Sequence, residues 1–294
     1  MIKKIYLAII CCLCGLSLQA QYAYFGSRGT ISFDKVTYTK ARMRQLSNEM
    51  SSKRMDRGMG MSEYLDRMPD SHTEKLNFYF DENATVLMPE ESTGSEKQNN
   101  EVKMAAPTIT SSNGRAGRSP GAGRIGGNQR GQFRGGGANK NGKVLYQDLK
   151  AGTADIQLDI DEKYILSETL DSITWRFTEE FRNIAGVNCR RVNGATKDSL
   201  YLIAYYSEEI PVSAGPALSH GLPGMILGLV IPEMHIQYWA TNIAYTNKLV
   251  PADWRDKKSK KMKLAEFSEI FGRYMPRNRQ NESAKKRILE QLVY

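Results

Sequence analysis

The sequence predicts a mainly β (α+β) fold, in which a curved antiparallel sheet carries peripheral helices. Between residues 143 and 245, short runs rich in β-branched and aromatic residues alternate with polar or Gly-containing turns, which is typical of antiparallel strands. The run Leu200–Tyr206 is apolar on both faces, which indicates a strand in the middle of a curved or covered sheet. The candidate strands are 143–149, 154–160, 164–169, 174–177, 186–192, 200–206 and 235–245.

Two alternating runs nearer the N-terminus are predicted to join this sheet. Ile31 and Phe33 are two positions apart, and the run 76–80 repeats that spacing with Leu and two Phe residues. Side chains spaced in this way lie on one side of a strand. The intervening residues 40–67 are charged and rich in Met, and they predict a helical segment.

A tight hairpin turn is predicted at Asn193-Gly194. The pair lies between the candidate strands 186–192 and 200–206. Asn-Gly favours the positive backbone dihedral angles that two-residue hairpin loops require.

Residues 90–142 are predicted to form a disordered insertion. The segment is polar and then dominated by Gly, Arg, Asn and Ser, so it buries too little apolar surface to offset its ordering entropy. Much of the net charge of +9 lies here and in the tail, because 111–143 has seven basic and no acidic residues and 251–294 has 12 basic and 6 acidic ones. The rest of the chain is mildly acidic, so the high pI does not indicate nucleic-acid binding.

The first 20 residues have the pattern of an export signal. Lys3 and Lys4 precede the apolar run 5–16, and Ala20 provides a small residue at the predicted cleavage site. The apolar run is shorter than the roughly 20 residues that span a bilayer. We therefore expect an exported protein, soluble after cleavage, that is periplasmic or associated with the outer membrane.

Cleavage would leave one cysteine in the mature chain. Cys11, Cys12 and Cys14 lie in the leader, whereas Cys189 lies beyond it. A single thiol forms no internal disulfide, so the fold must depend on its apolar core.

These patterns divide the chain into five parts, the last of which has apolar residues at helical spacing from Leu264 onward. The parts are a signal peptide (1–20), an N-terminal portion of the β domain with the Met-rich helical segment (21–89), the disordered insertion (90–142), the main sheet region (143–250) and a basic helical tail (251–294).

The most specific segment of the sequence is 208–229. Within it, Pro223 and Gly224 occupy the two central positions at which a type II turn prefers these residues. We predict a structural turn that closes the sheet, with a ligand-binding loop as the alternative. The turn residues are Gly221, Leu222, Pro223, Gly224, Met225 and Ile226.

This segment resembles the signature of the GLPGLI family, which are exported proteins of Bacteroidetes, with Met225 in place of the usual Leu. The resemblance extends upstream through Trp175 and Cys189, whereas Tyr205 stands where the pattern has Trp. It covers most of residues 29–245 apart from the insertion.

The resemblance implies little about activity. The family has no agreed reaction and no catalytic residues to transfer. Its outline is similar to a bowl-like β module found beside a bacterial glycan-releasing amidase, which implies a bowl-like sheet and an accessory role.

Aromatic residues in the candidate strands predict a ligand-binding surface. Trp175, Tyr205, Tyr206 and Trp239 are expected to line a concave face of the sheet. No catalytic, metal-binding or cofactor-binding motif is identified, so we expect a non-catalytic binding or structural module. Its expected partners are envelope proteins, glycans or peptides, and not nucleic acid.

The sequence leaves two alternative functions open. A hydrolase could use Cys189 as nucleophile if His72, His220 or His235 lay beside it. A copper-binding protein could use thioether ligands, which suit Cu(I). The candidate copper ligands are Met43, Met50, Met55, Met59, Met61, Met68 and His72.

Two motifs in the insertion are interpreted as accidental. Residues 121–126 match a dinucleotide fingerprint but follow no predicted strand and open no predicted helix. The surrounding Arg/Gly tract, with Phe133, is similar to RNA-binding segments. Export makes RNA a poor partner, and a flexible basic tether is the preferred interpretation.

Overall fold

A computed structural model describes residues 26–51, 65–90, 143–160, 162–267, 269 and 294. The predicted signal peptide and almost all of the predicted insertion lie outside these residues. No helix in the described ranges is long and apolar enough to span a membrane.

The mainly β fold class is confirmed, because the described residues form one sheet of twelve strands. The α-helix α1 (Thr39–Ser51) and two short 3-10 segments, Pro216–Leu218 and Pro232–Met234, accompany the sheet. The strands are β1 (Gly29–Thr37), β2 (His72–Phe80), β3 (Ala84–Pro89), β4 (Val144–Asp148), β5 (Thr153–Ile160), β6 (Glu162–Thr169), β7 (Thr174–Ile184), β8 (Val187–Ala195), β9 (Tyr201–Ser207), β10 (Met225–Ile231), β11 (Ile236–Tyr245) and β12 (Lys260–Met262).

The sheet consists of two antiparallel meanders joined by one long-range pairing. Strands β1 to β6 form the first meander and β7 to β11 the second, and β11 pairs antiparallel with β1. The short strand β12 adds to β6 in parallel. The edges of the described sheet are therefore β12 and β7.

The predicted alternation in the N-terminal strands is confirmed. Ile31 lies opposite Phe78 and Phe33 opposite Leu76, and all four side chains are buried. The Phe33 and Phe78 rings meet edge to face at 5.8 Å between centroids, a favoured aromatic geometry. We call the side of the sheet that carries these residues the core face and the other side the reverse face.

The predicted helical character of residues 40–67 is confirmed for Thr39–Ser51 and again at 65–67. The first residues of α1 contact the segment that precedes β2 through a hydrogen bond and an ion pair. The Thr39 hydroxyl donates to the Pro69 carbonyl at 2.8 Å, and Lys40 pairs with Asp70 at 3.2 Å.

Strand β10 was not predicted from the sequence. Its residues, Met225–Ile231, are apolar almost throughout and nearly all buried, because the strand lies between β9 and β11. A continuous apolar run is typical of a strand buried on both faces, and it lacks the alternation that identifies half-buried strands. The predicted sheet region was therefore one strand short.

The prediction of a helical tail from residue 251 is only partly correct. Residues 260–262 form β12, and a helix begins at Leu264. Phe267 in that helix is buried and meets the Tyr164 ring at 5.4 Å between centroids. The tail therefore packs on the sheet, and its residues 270–293 lie outside the described part of the chain.

The hairpin between β8 and β9 is confirmed, but the predicted turn position is wrong. Asn193 and Gly194 are strand residues that pair with Ile203 and Leu202, and the chain reverses over 196–199. Gly194 is needed for space, because an added Cβ would lie 2.4 Å from the Trp175 ring.

We expect Gly194→Val to lower the free energy of unfolding by about 1–3 kcal/mol, because the new side chain would overlap the Trp175 ring. The control is Ala195→Val, at the exposed neighbouring position of the same strand, with an effect within about 0.5 kcal/mol. Urea denaturation of both variants measures the difference. Equal stability of the two variants would contradict this packing role.

Candidate functional site

The segment that connects β9 to β10, residues 208–224, packs into the core. Ile210, Ala214 and Leu222 are almost completely buried within it. The backbone N–H groups of Met225 and Ile226 donate to the carbonyls of Ile210 and Ala214, at 3.0 and 2.9 Å. We call this segment the motif loop.

The type II turn predicted for the motif loop is not formed. That turn requires a positive φ at Gly224, but the glycine with positive φ in this region is Gly221, at +86°. Gly224 is required for space instead, because an added Cβ would lie 2.1 Å from the Ser207 backbone oxygen. Met225 and Ile226 continue directly into β10.

Trp175 holds the motif loop against the edge of the sheet. Its indole N–H donates to the His220 carbonyl at 2.9 Å. Its ring covers Gly194 on one side, and a Cβ added at Gly221 would lie 3.4 Å from its indole nitrogen. One side chain therefore joins β7, β8 and the motif loop.

Two adjacent non-glycine residues of the same loop have positive φ. Ala217 and Leu218 have φ values of 54° and 59°, which cost non-glycine residues free energy and are over-represented at functional sites. Nδ1 of His220 donates to the Leu218 carbonyl at 2.9 Å, since a carbonyl only accepts. The Ser219 hydroxyl donates to the Pro216 carbonyl at 2.7 Å, so local hydrogen bonds hold the strained turn.

We expect Trp175→Phe to loosen the motif loop, because phenylalanine keeps a ring over Gly194 but cannot donate to the His220 carbonyl. The lost hydrogen bond should cost about 1 kcal/mol. Hydrogen exchange measured by mass spectrometry should show faster exchange in residues 213–221 and unchanged exchange in β2. Unchanged protection of 213–221 would show that the hydrogen bond does not hold the loop.

The four aromatic residues predicted to share one surface lie on two faces of the sheet. Trp175 and Tyr206 lie on the core face, as their cross-strand partners Gly194 and Arg190 do. Tyr205 lies on the reverse face with Trp239, and Tyr206 is buried. The prediction that these four residues line a single concave binding surface is therefore wrong. Side chains of adjacent strand residues, such as Tyr205 and Tyr206, point to opposite faces of the sheet.

On the reverse face, Tyr205 and Trp239 form one half-buried aromatic cluster. Their ring centroids are 5.5 Å apart, and the guanidinium carbon of Arg182 lies 4.3 Å from the Trp239 centroid. Gly228 lies between the two residues in the strand register, and an added Cβ there would lie 2.7 Å from the Trp239 ring. Arg182 therefore stacks on an aromatic base that the sheet holds in place.

Two exposed aromatic residues on edge strand β7 were not predicted from the sequence. Phe177 and Phe181 are 48% and 57% exposed, and both lie on the core face in register with Val192 and Arg190. Phe177 touches buried Tyr206 edge to face at 6.1 Å between centroids. The prediction ended this strand at residue 177, although the polar run that follows continues in β conformation to Ile184.

A bulge separates the two phenylalanines, and the β8 arginines hold it. Pairing with β8 shifts between Phe177 and Phe181. Nε of Arg190 donates to the Thr178 carbonyl at 2.7 Å, and the guanidinium pairs with Glu179 at 2.7 Å. Arg191 pairs with Glu180 at 2.6 Å. The bulge is therefore an ordered feature of the edge.

Cys189 lies in an environment that disfavours a nucleophile. It is buried, and its thiol lies 3.6 Å from the Val187 carbonyl. Burial, followed by the negative charge of Glu209, raises the pKa of Cys189 to about 12. The thiol is therefore protonated at neutral pH, whereas a nucleophile must be a thiolate. The hydrogen-bond partner of the thiol is the Val187 carbonyl, and none of the described histidines bonds to it.

The histidines and methionines form no recognisable site in the described part of the chain. His235 bonds to Gln45 at 2.9 Å, and His72 is exposed at the start of β2. No group of three or more His, Cys, Asp or Glu residues in the described ranges is arranged to hold a metal. Met55, Met59 and Met61 lie outside those ranges, so the copper-binding alternative stays a prediction.

A cluster of ionisable side chains lies on the core face of strands β1, β2 and β11. Lys35 pairs with Glu74 at 3.7 Å and lies over the Tyr238 ring. The Tyr238 hydroxyl donates to the backbone oxygen of Tyr294 at 2.6 Å. Burial lowers the pKa of Lys35 and of nearby Lys143. The oxygen to which this cluster donates a hydrogen bond therefore belongs to Tyr294 of the same chain.

Comparison with known proteins places the motif loop and β7 in a recognised family region. Residues 163–228 match the model of a family described as proteins of unknown function, Porph_ging. No curated protein matches the chain. Solved structures of PNGF-II in two crystal forms match with TM-scores of 0.45, at 11% and 12% identity, over 83% of this chain. The chain covers 33% and 32% of those solved chains, about a third of their length.

Proposed function

We propose that this protein is an exported envelope protein of the GLPGLI type and acts as a non-catalytic binding module. The leader pattern of residues 1–20 and the hexapeptide 221–226 support export and the GLPGLI resemblance. The observation that carries the binding role is the exposure of Phe177 and Phe181 on an edge strand.

Edge strand β7 has the character of an interaction surface. At 11 residues it is the longest strand of the described sheet, and natural proteins usually protect long apolar edges from contact with other chains. Two half-exposed phenylalanines on one face of such an edge have an unfavourable contact with water, which a partner would remove. The bulge interrupts the edge, but it leaves both rings exposed.

The surface around these rings is held in place before any partner binds. Phe177 rests on Tyr206 and lies under Arg190, whose guanidinium is 5.5 Å from the ring centroid. Trp175, two residues earlier on the same face, is fixed by its hydrogen bond to the motif loop. Such preorganisation lowers the entropy cost of binding. Envelope proteins, glycans and peptides are the partner classes that an exported aromatic surface would meet.

The two alternatives have weaker support. A hydrolase that used Cys189 would need a thiolate in a site where burial raises the thiol pKa. A copper-binding role depends in part on Met55, Met59 and Met61, which lie outside the described residues, so no contact among the methionines supports it.

We expect the protein isolated from its own cells to begin at Gln21, because cleavage after Ala20 fits the leader pattern. Intact-mass measurement of the envelope fraction checks this. Protein that retains Met1 and remains in the cytosol would contradict export.

We expect Phe177→Ser combined with Phe181→Ser to weaken ligand binding at least about tenfold with little effect on folding, because both rings are half exposed. The probes are peptidoglycan fragments, N-glycan oligosaccharides and extended peptides, and amide chemical shifts of β7 are the readout. Leu249→Ser, at another exposed apolar side chain (63% exposed), is the matched control. If no probe shifts β7 amides, or if the double variant binds as well as the control, the proposal is wrong.

A further inference from the structure

The acidic side chains of β7 have ion-pair partners in the described ranges of the chain, whereas two of its basic side chains do not. Its two acidic residues, Glu179 and Glu180, form ion pairs with Arg190 and Arg191 of β8. Arg176 and Arg182 of β7 are exposed and have no carboxylate partner in the described residues. The strand therefore presents two guanidinium groups that no described carboxylate neutralises, beside two carboxylates that β8 arginines already pair with.

The apolar and basic residues of β7 lie on opposite faces. Phe177 and Phe181 are on the core face, whereas Arg182 is in register with Cys189 on the reverse face. Arg176 lies on that reverse face too, in register with Asn193. A strand added to this edge would therefore meet apolar side chains on one face and guanidinium groups on the other.

The position of Arg182 suits carboxylate recognition. Its guanidinium stacks at 4.3 Å on Trp239 and lies 5.9 Å from the Tyr205 centroid. Stacking occupies the flat face of a guanidinium and leaves its in-plane N–H donors available for a carboxylate. The aromatic base also restricts the side chain, so less entropy is lost on binding.

We propose that β7 receives an extended peptide as an additional strand, in which acidic residues alternate with apolar ones. The acidic side chains would face Arg176 and Arg182, and the apolar ones would cover Phe177 and Phe181. Strand addition to an exposed edge gives affinity through backbone hydrogen bonds and specificity through alternate side chains. This inference rests on the binding role proposed above and specifies its partner class.

A second copy of the chain and the chain's own basic segment fit this edge less well. Antiparallel pairing of two β7 strands that places Phe177 opposite Phe181 also places Arg176 opposite Arg182. Like charges directly opposite each other on a sheet are destabilising. Residues 111–143 have seven basic and no acidic side chains, so they repel the same arginines.

The test measures binding of labelled, acetylated and amidated nonapeptides to the full chain by fluorescence anisotropy. One peptide alternates Glu with Val, and a second replaces every Glu by Lys. A third has Pro at one central Val and at the Glu beside it, because adjacent N–H groups of a strand point to opposite edges and one of the two must face β7. We expect the Glu peptide to bind at least about tenfold more tightly than the Lys peptide, as two cross-strand charge pairs would give. The Pro peptide should lose binding, because proline lacks the N–H that strand pairing needs.

Charge reversal provides the matched comparison. Arg176→Glu with Arg182→Glu should reverse the preference toward the Lys peptide. Lys150→Glu with Lys248→Glu, which changes the net charge equally at exposed positions outside β7 and its neighbour β8, should keep the preference for Glu. Thermal denaturation checks that both double variants fold.

Three outcomes would overturn the inference. They are equal binding of the Glu and Lys peptides, retained binding of the Pro peptide, and a concentration-dependent dimer that Phe181→Ser dissociates, since a second copy would then occupy the edge. Failure of the peptides while glycan probes still shift β7 amides would reject the peptide partner and leave the binding role standing. Failure of every probe would reject both.

Discussion

The antiparallel pairing of β1 with β11 is the contact on which the rest of the architecture depends. It joins two meanders that are each local in sequence, and it aligns Lys35 with Tyr238 and Phe33 with Ala240 across the junction. Because register fixes the face of every side chain, this one pairing decides that Leu229 and Ala204 continue the core face begun by Phe33. The motif loop then packs against a surface that both meanders supply.

Glycine and tryptophan act as complementary pairs in the second meander. Trp175 lies over Gly194 and Trp239 over Gly228, and in both cases an added Cβ would overlap the ring. The two pairs lie on opposite faces and have different consequences. The first pair anchors the motif loop through the His220 carbonyl, and the second provides the base on which Arg182 stacks. Substitution of either glycine would displace a ring on which another part of the surface depends.

Edge strand β7 combines features that are usually kept apart in stable proteins. It is long and partly apolar, but an ordered bulge and the ion pairs with Arg190 and Arg191 interrupt its regular pairing. Bulges and charged side chains are means of preventing uncontrolled edge-to-edge association. Phe177 and Phe181 remain exposed despite them. The binding role proposed above rests on this exposed apolar pair.

The sequence by itself determined the fold class, the N-terminal strands and the existence of the β8–β9 hairpin, because two-residue alternation depends only on which face of a strand is buried. Tertiary structure decided the rest. Gly194 and Gly224 are required for close approach by Trp175 and the Ser207 backbone, and sequence cannot distinguish such glycines from turn glycines. The residues predicted to form one binding surface lie on two faces of the sheet, Trp175 and Tyr206 on one and Tyr205 and Trp239 on the other. The exposed aromatic pair is instead Phe177 and Phe181. Exposure depends on which strand ends the sheet, and that is set by long-range pairing that no local pattern contains.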